Sequence, residues 1–319
     1  MTLKILITRA MPERIEQEAR TLGDITARRE TTPLTEAEVT HALQHYDAIL
    51  CTLGDRFTEA AIQAAGRGPR CRLIANFGVG YNHIAADAAK AAGIAVTNTP
   101  GAVTDATADI GMTLLLMTAR RAAEGERLAR SGTWTGWQPT QMLGQHVSGK
   151  TISIIGMGRI GKAIARRAHY GFGMEVRFFN RSPVADPGLP ATQVDSLSDA
   201  MRADFVVIAV PASPATRHLI DETALAAMPP HGILINIARG DIIDETALIE
   251  ALQRRRIAGA GLDVYEFEPA IPEALRALDT VTLLPHLGTS VLEVREDMGR
   301  LALRNIADLA AGRPLSTPV

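Results

Sequence analysis

Three glycines, Gly156, Gly158 and Gly161, follow an apolar run and open a helical pattern. The run is TISII (151–155) and the helical pattern is IGKAIARRAH (160–169). The first glycine of this spacing permits a tight turn, the second lets the main chain approach a pyrophosphate, and the third permits close helix–strand packing. Amide groups at the start of the helix then face the phosphates. An ordinary glycine turn would need none of this context, so the spacing predicts a dinucleotide-binding loop.

The residues after the next apolar run bear on which dinucleotide binds. MEVRFF (174–179) is followed by Asn180, Arg181 and Ser182. An acidic residue here would accept hydrogen bonds from a ribose 2′-hydroxyl and repel a 2′-phosphate, whereas this turn offers a guanidinium and a hydroxyl. We therefore expect a preference for NADP(H). A solvated turn without preference, or use of NAD(H) as well, remains the alternative.

Three polar side chains, Arg239, Glu268 and His286, lie at or near the ends of three later apolar runs. They occur in the segments NIARG, AGLDVYEFEP and LLPHLG. The carboxyl ends of parallel strands form the edge at which α/β sheets bind ligands. Taken singly, these residues could be a surface charge, a solvated loop residue and a core histidine. Together at one edge they indicate a catalytic group, without any metal-ligand spacing.

With these motifs, the chain resembles the D-isomer-specific 2-hydroxyacid dehydrogenase family over essentially its whole length, and within it the glyoxylate/hydroxypyruvate reductases. The resemblance implies an NADPH-preferring reductase that transfers a hydride to the 2-carbon of a small 2-keto acid. It implies that Arg239 holds the substrate's carboxylate and carbonyl. His286 would protonate the keto oxygen, or deprotonate the hydroxyl in reverse. Glu268 would pair with this histidine and favour the imidazolium.

The resemblance also implies the other contacts to cofactor and substrate. Asp263 is expected to place the nicotinamide amide. The main-chain amides of Val79 and Gly80 are expected to receive the substrate carboxylate, and Leu53 is expected to close the pocket, with Arg239 and His286 as the other substrate contacts. The expected cofactor contacts are Thr107, Gly156, Gly158, Arg159, Ile160, Gly161, Asn180, Arg181, Ser182, Val210, Pro211, Thr216, Ile237, Ala238, Arg239, Asp263, His286 and Gly288.

The elements that must position these groups alternate between strands and helices. Because the apolar runs do not alternate with polar residues, the strands are expected to be covered on both faces. The predicted fold class is α/β, with two Rossmann-like doubly wound parallel-sheet domains and a cleft between them. Strands are expected at 3–8, 47–53, 71–76, 94–97, 151–156, 174–179, 204–210, 232–238, 260–264 and 281–284.

The predicted domain boundaries follow these two series of strands. Residues 1–99 and 290–319 are expected to form a flavodoxin-like substrate-binding domain, and residues 100–289 an NAD(P)-binding Rossmann domain. The helical pattern at 289–312 is expected to return to the first domain. The other long pattern, at 104–130, is apolar nearly all round at 110–117 and must be buried, either between the domains or against a partner subunit.

A homodimer is expected, and the loop before the cofactor strand bears on it. This loop carries the only two tryptophans, Trp134 and Trp137. One of them would either enter a partner subunit's active site or pack at a seam between domains or subunits.

Composition limits the partners and the compartment. The chain has 319 residues, 46% of them hydrophobic, and a formal net charge of −2. Neither nucleic acid nor an anionic membrane surface is therefore an expected partner, and no apolar run is long enough to cross a bilayer. The two cysteines have no disulfide-rich or metal-binding spacing, and the N-terminus lacks a secretory pattern. We expect a cytoplasmic enzyme with a small-molecule substrate.

Two alternatives to glyoxylate and hydroxypyruvate reduction remain at this stage. The catalytic residues recognise only the 2-keto acid group, so another substrate such as D-lactate or phosphoglycerate fits the same motifs, although the pocket loops show no basic cluster for a phosphate. The same fold also serves NAD(H)-sensing co-repressors, in which binding controls protein association.

Overall fold

The computed structural model describes residues 2–319. Contacts divide the chain into two units. The N-terminal unit comprises the chain up to Val103 together with Ser290–Val319, and the central unit comprises Thr104–Thr289. Each unit contains one parallel sheet. The first division falls four residues later than the boundary expected from the sequence, and the second falls at the expected residue.

The N-terminal unit is a five-stranded parallel sheet with helices between the strands. Its strands are β1 (Leu3–Ile7), β2 (Gly23–Ala27), β3 (Ala48–Cys51), β4 (Leu73–Asn76) and β5 (Ala95–Thr97), and its first four helices are α1 (Glu13–Ala19), α2 (Glu36–His45), α3 (Glu59–Ala64) and α4 (Ala86–Ala91). The strand order is β2-β1-β3-β4-β5, the flavodoxin-like doubly wound order. Helix α2 begins with a capping box, in which Thr35 and Glu38 satisfy each other's main-chain amides.

Strand β2 was not expected from the sequence. Its residues GDITA do not form an apolar run, and they alternate between half-buried and exposed positions. The strand lies at the sheet edge and pairs only with β1. Because an edge strand has one neighbour and less cover, it needs no continuous run of large apolar side chains. The other four strands confirm the predicted positions to within two residues at each end.

The central unit contains a seven-stranded parallel sheet. Its elements are α5 (Thr104–Ala119), α6 (Ala122–Ser131), β6 (Thr151–Ile155), α7 (Arg159–Phe172), β7 (Glu175–Phe179), β8 (Thr192–Gln193), α8 (Leu197–Met201), β9 (Phe205–Ile208), α9 (Glu222–Ala226), β10 (Ile233–Asn236), α10 (Glu245–Gln253), β11 (Gly259–Leu262), α11 (Glu273–Arg276) and β12 (Val281–Leu283). The order is β12-β11-β10-β9-β6-β7-β8, so the direction of winding reverses at β6. A reversal of this kind opens the crevice in which Rossmann folds bind dinucleotides.

The central sheet is covered on both faces, as its apolar runs predict. Along β9, Phe205 and Val207 pack into one hydrophobic cluster, whereas Val206 and Ile208 pack into a second. Successive side chains of a strand point to opposite faces, so both faces are buried. Of the strands of this sheet, the two-residue edge strand β8 was the one not predicted from the sequence.

The predicted helix over 104–130 is two helices, so that expectation was wrong in its length. The first helix ends at Ala119, and Arg121 has a left-handed backbone with φ of 52°. The returning chain explains the break, because the amide of Gln145 donates to the carbonyl oxygen of Ala119 at 2.7 Å. The buried face of α5 packs against β10, β11 and α7 of its own unit.

The last helix, α12 (Leu292–Ala310), belongs to the N-terminal unit. It packs there on β3, β4 and α1. Gly299 permits a close approach, since a Cβ at this position would lie 2.7 Å from the side chain of Ile15. Within residues 2–319, no helix is both long enough and apolar enough to cross a membrane.

Candidate active site

The glycine loop joins β6 to α7 with three different constraints. Gly156 has φ of 102°, and a Cβ there would lie 2.7 Å from Val210 and 2.8 Å from the Ala209 main chain. A Cβ at Gly161 would collide with the carbonyl oxygen of Gly156. At Gly158, the N-cap of α7, a Cβ would meet nothing within 4 Å. The first and third glycines are thus required by packing, whereas the open space at Gly158 fits an approaching pyrophosphate.

The turn after β7 is tied to this loop by side-chain hydrogen bonds. Asn180 Oδ1 accepts from the Met157 amide at 3.2 Å, and Asn180 Nδ2 donates to the Ser182 carbonyl. Gln193, on the short edge strand β8, donates to the carbonyl oxygens of both Asn180 and Ser182. The side chain of Asn180 therefore holds the turn together. Arg181 is exposed and forms no ion pair with another described residue, so its guanidinium projects into solvent.

Arg239 follows β10 and is held by a buried asparagine that the sequence analysis missed. Asn236 is fully buried; its Oδ1 accepts from the Ala238 amide at 3.0 Å and its Nδ2 donates to the Arg239 carbonyl at 2.8 Å. Arg239 is half-buried, and this burial lowers the pKa of its guanidinium against the opposing charges of Glu268 and Asp241. A desolvated guanidinium interacts more strongly with an anionic ligand than one in water.

His286 and Glu268 form a direct pair. His286 Nδ1 lies 2.9 Å from Glu268 Oε2, and Glu268 Oε1 accepts from the Tyr265 amide at 3.0 Å. Burial would raise the pKa of Glu268, but the hydrogen bond and charge of His286, the Tyr265 amide and the charge of Arg239 together lower it. Glu268 is therefore ionised beside the imidazole, whose Nε2 is the nitrogen left for a substrate.

Asp263 fixes the turn that carries the histidine. Its side chain is 1% exposed, and its two oxygens accept from the amides of Leu287 at 2.6 Å and Gly288 at 2.8 Å. Its main-chain oxygen accepts from the His286 amide, which helps to hold that residue at φ of 55°. Burial raises the pKa of Asp263 despite these hydrogen bonds. Thr107 Oγ1 donates to the Gly288 carbonyl and so ties α5 to the same turn.

The other expected cofactor contacts occupy the strand ends of the same unit. Ile237 and Ala238 directly follow β10, and Val210 follows β9. Pro211 and Thr216 delimit a closed loop, because Thr216 Oγ1 donates to the Pro211 carbonyl at 2.8 Å. Within the described residues, no cluster of three or more His, Cys, Asp or Glu side chains could hold a metal ion.

In the N-terminal unit, the expected carboxylate loop follows β4. Asn76 is fully buried and its Nδ2 donates to the carbonyl oxygens of Gly78 and Gly80, both at 3.0 Å. Asn98 Nδ2 donates to the Val79 carbonyl. Leu53 packs beside this loop, since a Cβ at Gly78 would lie 2.8 Å from its Cδ2. The sequence analysis found the loop but missed Asn76, which fixes it.

This geometry coincides with a match to a known family. Residues 112–288 match the D-isomer specific 2-hydroxyacid dehydrogenase, NAD binding domain. The chain belongs to the D-isomer specific 2-hydroxyacid dehydrogenases and is an oxidoreductase with a nicotinamide-cofactor domain.

Curated relatives and solved structures of similar length support this membership. The chain is 43% identical to the glyoxylate reductase of Thermococcus kodakarensis over 96% of this chain and 92% of the relative. It is 37% identical to the glycerate dehydrogenase of Hyphomicrobium methylovorum, covering 98% of each. It superposes on the NADPH-dependent glyoxylate/hydroxypyruvate reductase of Sinorhizobium meliloti, solved with NADP and malonate, with a TM-score of 0.89 and 33% identity, over 100% of this chain and 97% of that one.

Proposed function

We propose that the protein is an NADPH-preferring reductase of glyoxylate and hydroxypyruvate, converting these 2-keto acids to 2-hydroxy acids. The observation that carries the proposal is the 2.9 Å pair of His286 and Glu268 on the same sheet edge as Arg239, at the carboxyl ends of neighbouring strands. Relatives named glyoxylate reductase and glycerate dehydrogenase support this substrate class.

In the proposed mechanism, His286 moves the proton. A bound reduced nicotinamide supplies a hydride to the keto carbon. As the keto oxygen gains negative charge, Nε2 of His286 donates a proton to it, and Nδ1 stays hydrogen-bonded to Glu268. The carboxylate stabilises the imidazolium before transfer and keeps the ring oriented. In the reverse direction, the neutral imidazole accepts the hydroxyl proton at the same nitrogen.

Arg239 is proposed to orient the substrate. A planar guanidinium can bind a carboxylate with two parallel hydrogen bonds and also stabilise charge on the adjacent carbonyl oxygen. Asn236 binds the Ala238 amide and the Arg239 carbonyl oxygen, so the main chain that carries the guanidinium is fixed. We further propose that the main-chain amides of Val79 and Gly80 form a carboxylate-binding loop of the N-terminal unit, with Leu53 of the same unit as an apolar neighbour.

The proposed preference for NADPH rests on Arg181. No carboxylate occupies the turn after β7, and Arg181 is exposed with its charge unpaired among the described residues. A guanidinium in this place attracts a 2′-phosphate. Substituting Arg181→Ala should raise KM for NADPH and spare NADH. Arg177→Ala is the matched control, because Arg177 lies on β7, just before this turn, and already pairs with Glu175.

Initial rates test the function as a whole. Glyoxylate and hydroxypyruvate would each be supplied with NADPH and with NADH at matched concentrations, and oxidation of the reduced nicotinamide followed by its absorbance. Faster turnover with NADPH is expected for both acids. NADH preference would contradict the role of Arg181, and turnover only with another 2-keto acid would contradict the substrate assignment. Tight NADH binding without any turnover would favour the co-repressor alternative.

We also propose a homodimer that uses the segment 133–150. This stretch contains no helix or strand, and it exposes Trp137 at 80% and Leu143 at 67% of their surfaces. Exposed large apolar residues in one segment are typical of interaction sites. Light scattering should give the mass of two chains, and Trp137→Ala should weaken the dimer. A monomeric wild-type protein would contradict the proposal.

A further inference from the structure

A second histidine–carboxylate pair lies in the central unit beside the proposed catalytic pair. Nε2 of His218 is 2.8 Å from Glu266 Oε1, and Nη2 of Arg217 reaches the same oxygen at 3.2 Å. The Glu266 side chain is only 7% exposed. The carboxylates of the two pairs, Glu266 and Glu268, are two residues apart in one segment. The proposed mechanism gives Glu266 and His218 no role.

His218 is connected to the loop that carries Arg239. Its main-chain amide donates to the Asp241 carbonyl at 2.8 Å, while its ring contacts Glu266. Between these two points the loops touch directly, because a Cβ at Gly240 would collide with the Tyr265 carbonyl and the Glu266 amide. The Arg239 loop and the Glu266–Glu268 segment therefore share one contact surface, and His218 bonds to both.

The main chain of Glu266 lies beside the contacts that hold Glu268. Its amide lies 3.4 Å from Glu245 Oε2, and the preceding amide, of Tyr265, donates to Glu268 Oε1. Burial, together with the charge of Glu266, raises the pKa of Glu245. The Glu266 carboxylate is thus held by Arg217 and His218, while its main-chain amide contacts Glu245. Loss of the His218 contact would leave Glu266 with Arg217 and would loosen the segment that presents Glu268 to His286.

The backbone of His218 also indicates a constrained role. Its φ is 49°, in the left-handed region that non-glycine residues seldom adopt. His286 is in the same region, with φ of 55°. Strained positions persist where the surrounding contacts determine them, and they concentrate near functional sites. In both residues the left-handed backbone directs the imidazole at a carboxylate of the Glu266–Glu268 segment.

We propose that His218 and Glu266 are positioning residues, which hold the Arg239 loop and Glu268 in place relative to His286. The inference rests on the proposed function for its kinetic consequence. Displacement of a reacting group by about 1 Å can reduce a rate by about a hundredfold. The loop from Pro211 to Thr216 keeps its own hydrogen bonds without His218, so cofactor binding should be spared.

Three variants test the proposal kinetically. His218→Leu removes the ring donor, His218→Gln keeps an N–H group for Glu266, and His231→Leu is the matched control. His231 Nε2 lies 3.1 Å from Asp204 Oδ1. These residues precede β10 and β9, so the pair lies at the amino ends of the strands, opposite the proposed site. We expect His218→Leu to lower kcat about tenfold to hundredfold with little change in the KM for NADPH. His218→Gln should recover most of this rate, and His231→Leu should retain it. Equal losses in both His218 variants, or in the control, would overturn the proposal.

A second readout needs no turnover. Histidine-ring nitrogen NMR on the full chain without ligand would report the environment of His286, with its signals assigned from His286→Gln. These signals should shift in His218→Leu and remain in place in His218→Gln and His231→Leu. Unchanged His286 signals in folded His218→Leu would overturn the positioning role. If the wild-type enzyme reduces neither keto acid, the proposed function fails separately, because this comparison uses no substrate.

Discussion

Replacing Glu268 by glutamine isolates what the carboxylate contributes. In the wild-type protein, one oxygen accepts from the Tyr265 amide and the other lies 2.9 Å from His286 Nδ1. Glutamine has the same shape but only one oxygen. If that oxygen keeps the Tyr265 hydrogen bond, the amide NH2 faces His286 and opposes the imidazolium. If it serves His286 instead, the Tyr265 amide loses its acceptor.

The expected magnitude follows from this loss. A hydrogen bond to a charged partner contributes about 1.5–3 kcal/mol, against about 0.5–1.5 kcal/mol for a neutral one. The difference alone is about 1–1.5 kcal/mol, which is about a fivefold to thirteenfold loss of kcat/KM for reduction, and the misplaced amide adds to it. Because the loss falls on the proton donor and not on the glycine loop, cofactor affinity should change little.

The pH dependence of reduction provides a second test of the Glu268 carboxylate. Reduction requires the protonated form of the His286–Glu268 pair, and the negative carboxylate favours that form. A rate that depends on the ionised carboxylate should fall at acid pH as Glu268 becomes protonated, and Glu268→Gln should lack this acid limb of kcat/KM. On the acid side, the contacts of Glu268 lower its pKa from the ordinary value of 4.5, so the wild-type carboxylate stays ionised below that pH.

Profiles of kcat/KM against pH would measure this effect in both variant and wild type. Glu273→Gln is the control, because it makes the same chemical change at an exposed position of α11 in the same unit. An acid limb that is retained in Glu268→Gln, or lost in Glu273→Gln, would refute the assignment of the carboxylate.

Three further predictions concern the loops and the fold. Gly158→Ala should fold normally but weaken cofactor binding in a titration, whereas Gly161→Ala should lower the melting temperature, because only the second Cβ meets protein atoms. Asn236→Ala orphans two main-chain groups and should cost about 2–4 kcal/mol in denaturant unfolding, with a fall in kcat/KM. Arg29 contacts both oxygens of Glu16 and, with the Met11 amide, lowers its pKa against the effect of burial. This ion pair should stabilise the fold above pH 4.5 and lose its effect as pH falls through the lowered pKa; Arg29→Ala should flatten that part of the stability profile.

The strands and the dinucleotide loop could be predicted because their signals are local. A strand covered on both faces must be apolar along its whole length, and a helix that approaches a strand closely needs glycine at one position. These requirements appear directly in the order of residues. The same reasoning failed at β2 and β8, where an edge position removes the need for a continuous apolar run.

The break in the helix at Ala119 could not be predicted from its own residues. It depends on the Gln145 amide, which arrives from a loop 26 positions later to bond the last carbonyl. The contacts made by the supporting residues of the site could not be predicted from local sequence either. Asn236 and Asp263 resemble many other polar residues near strand ends, and only the folded chain shows which main-chain groups they bind.

By itself, the sequence determined the α/β class and the glycine spacing of the loop after β6, because both follow from residue type and neighbouring pattern, and its resemblance to a known family pointed to Arg239, Glu268 and His286. The tertiary structure decided which side chains meet. His218 and Glu266 are 48 positions apart, and no local pattern links them. Hydrogen bonds act over about 3 Å in space, whatever the separation along the chain, so their partners are fixed only when the strands are placed side by side.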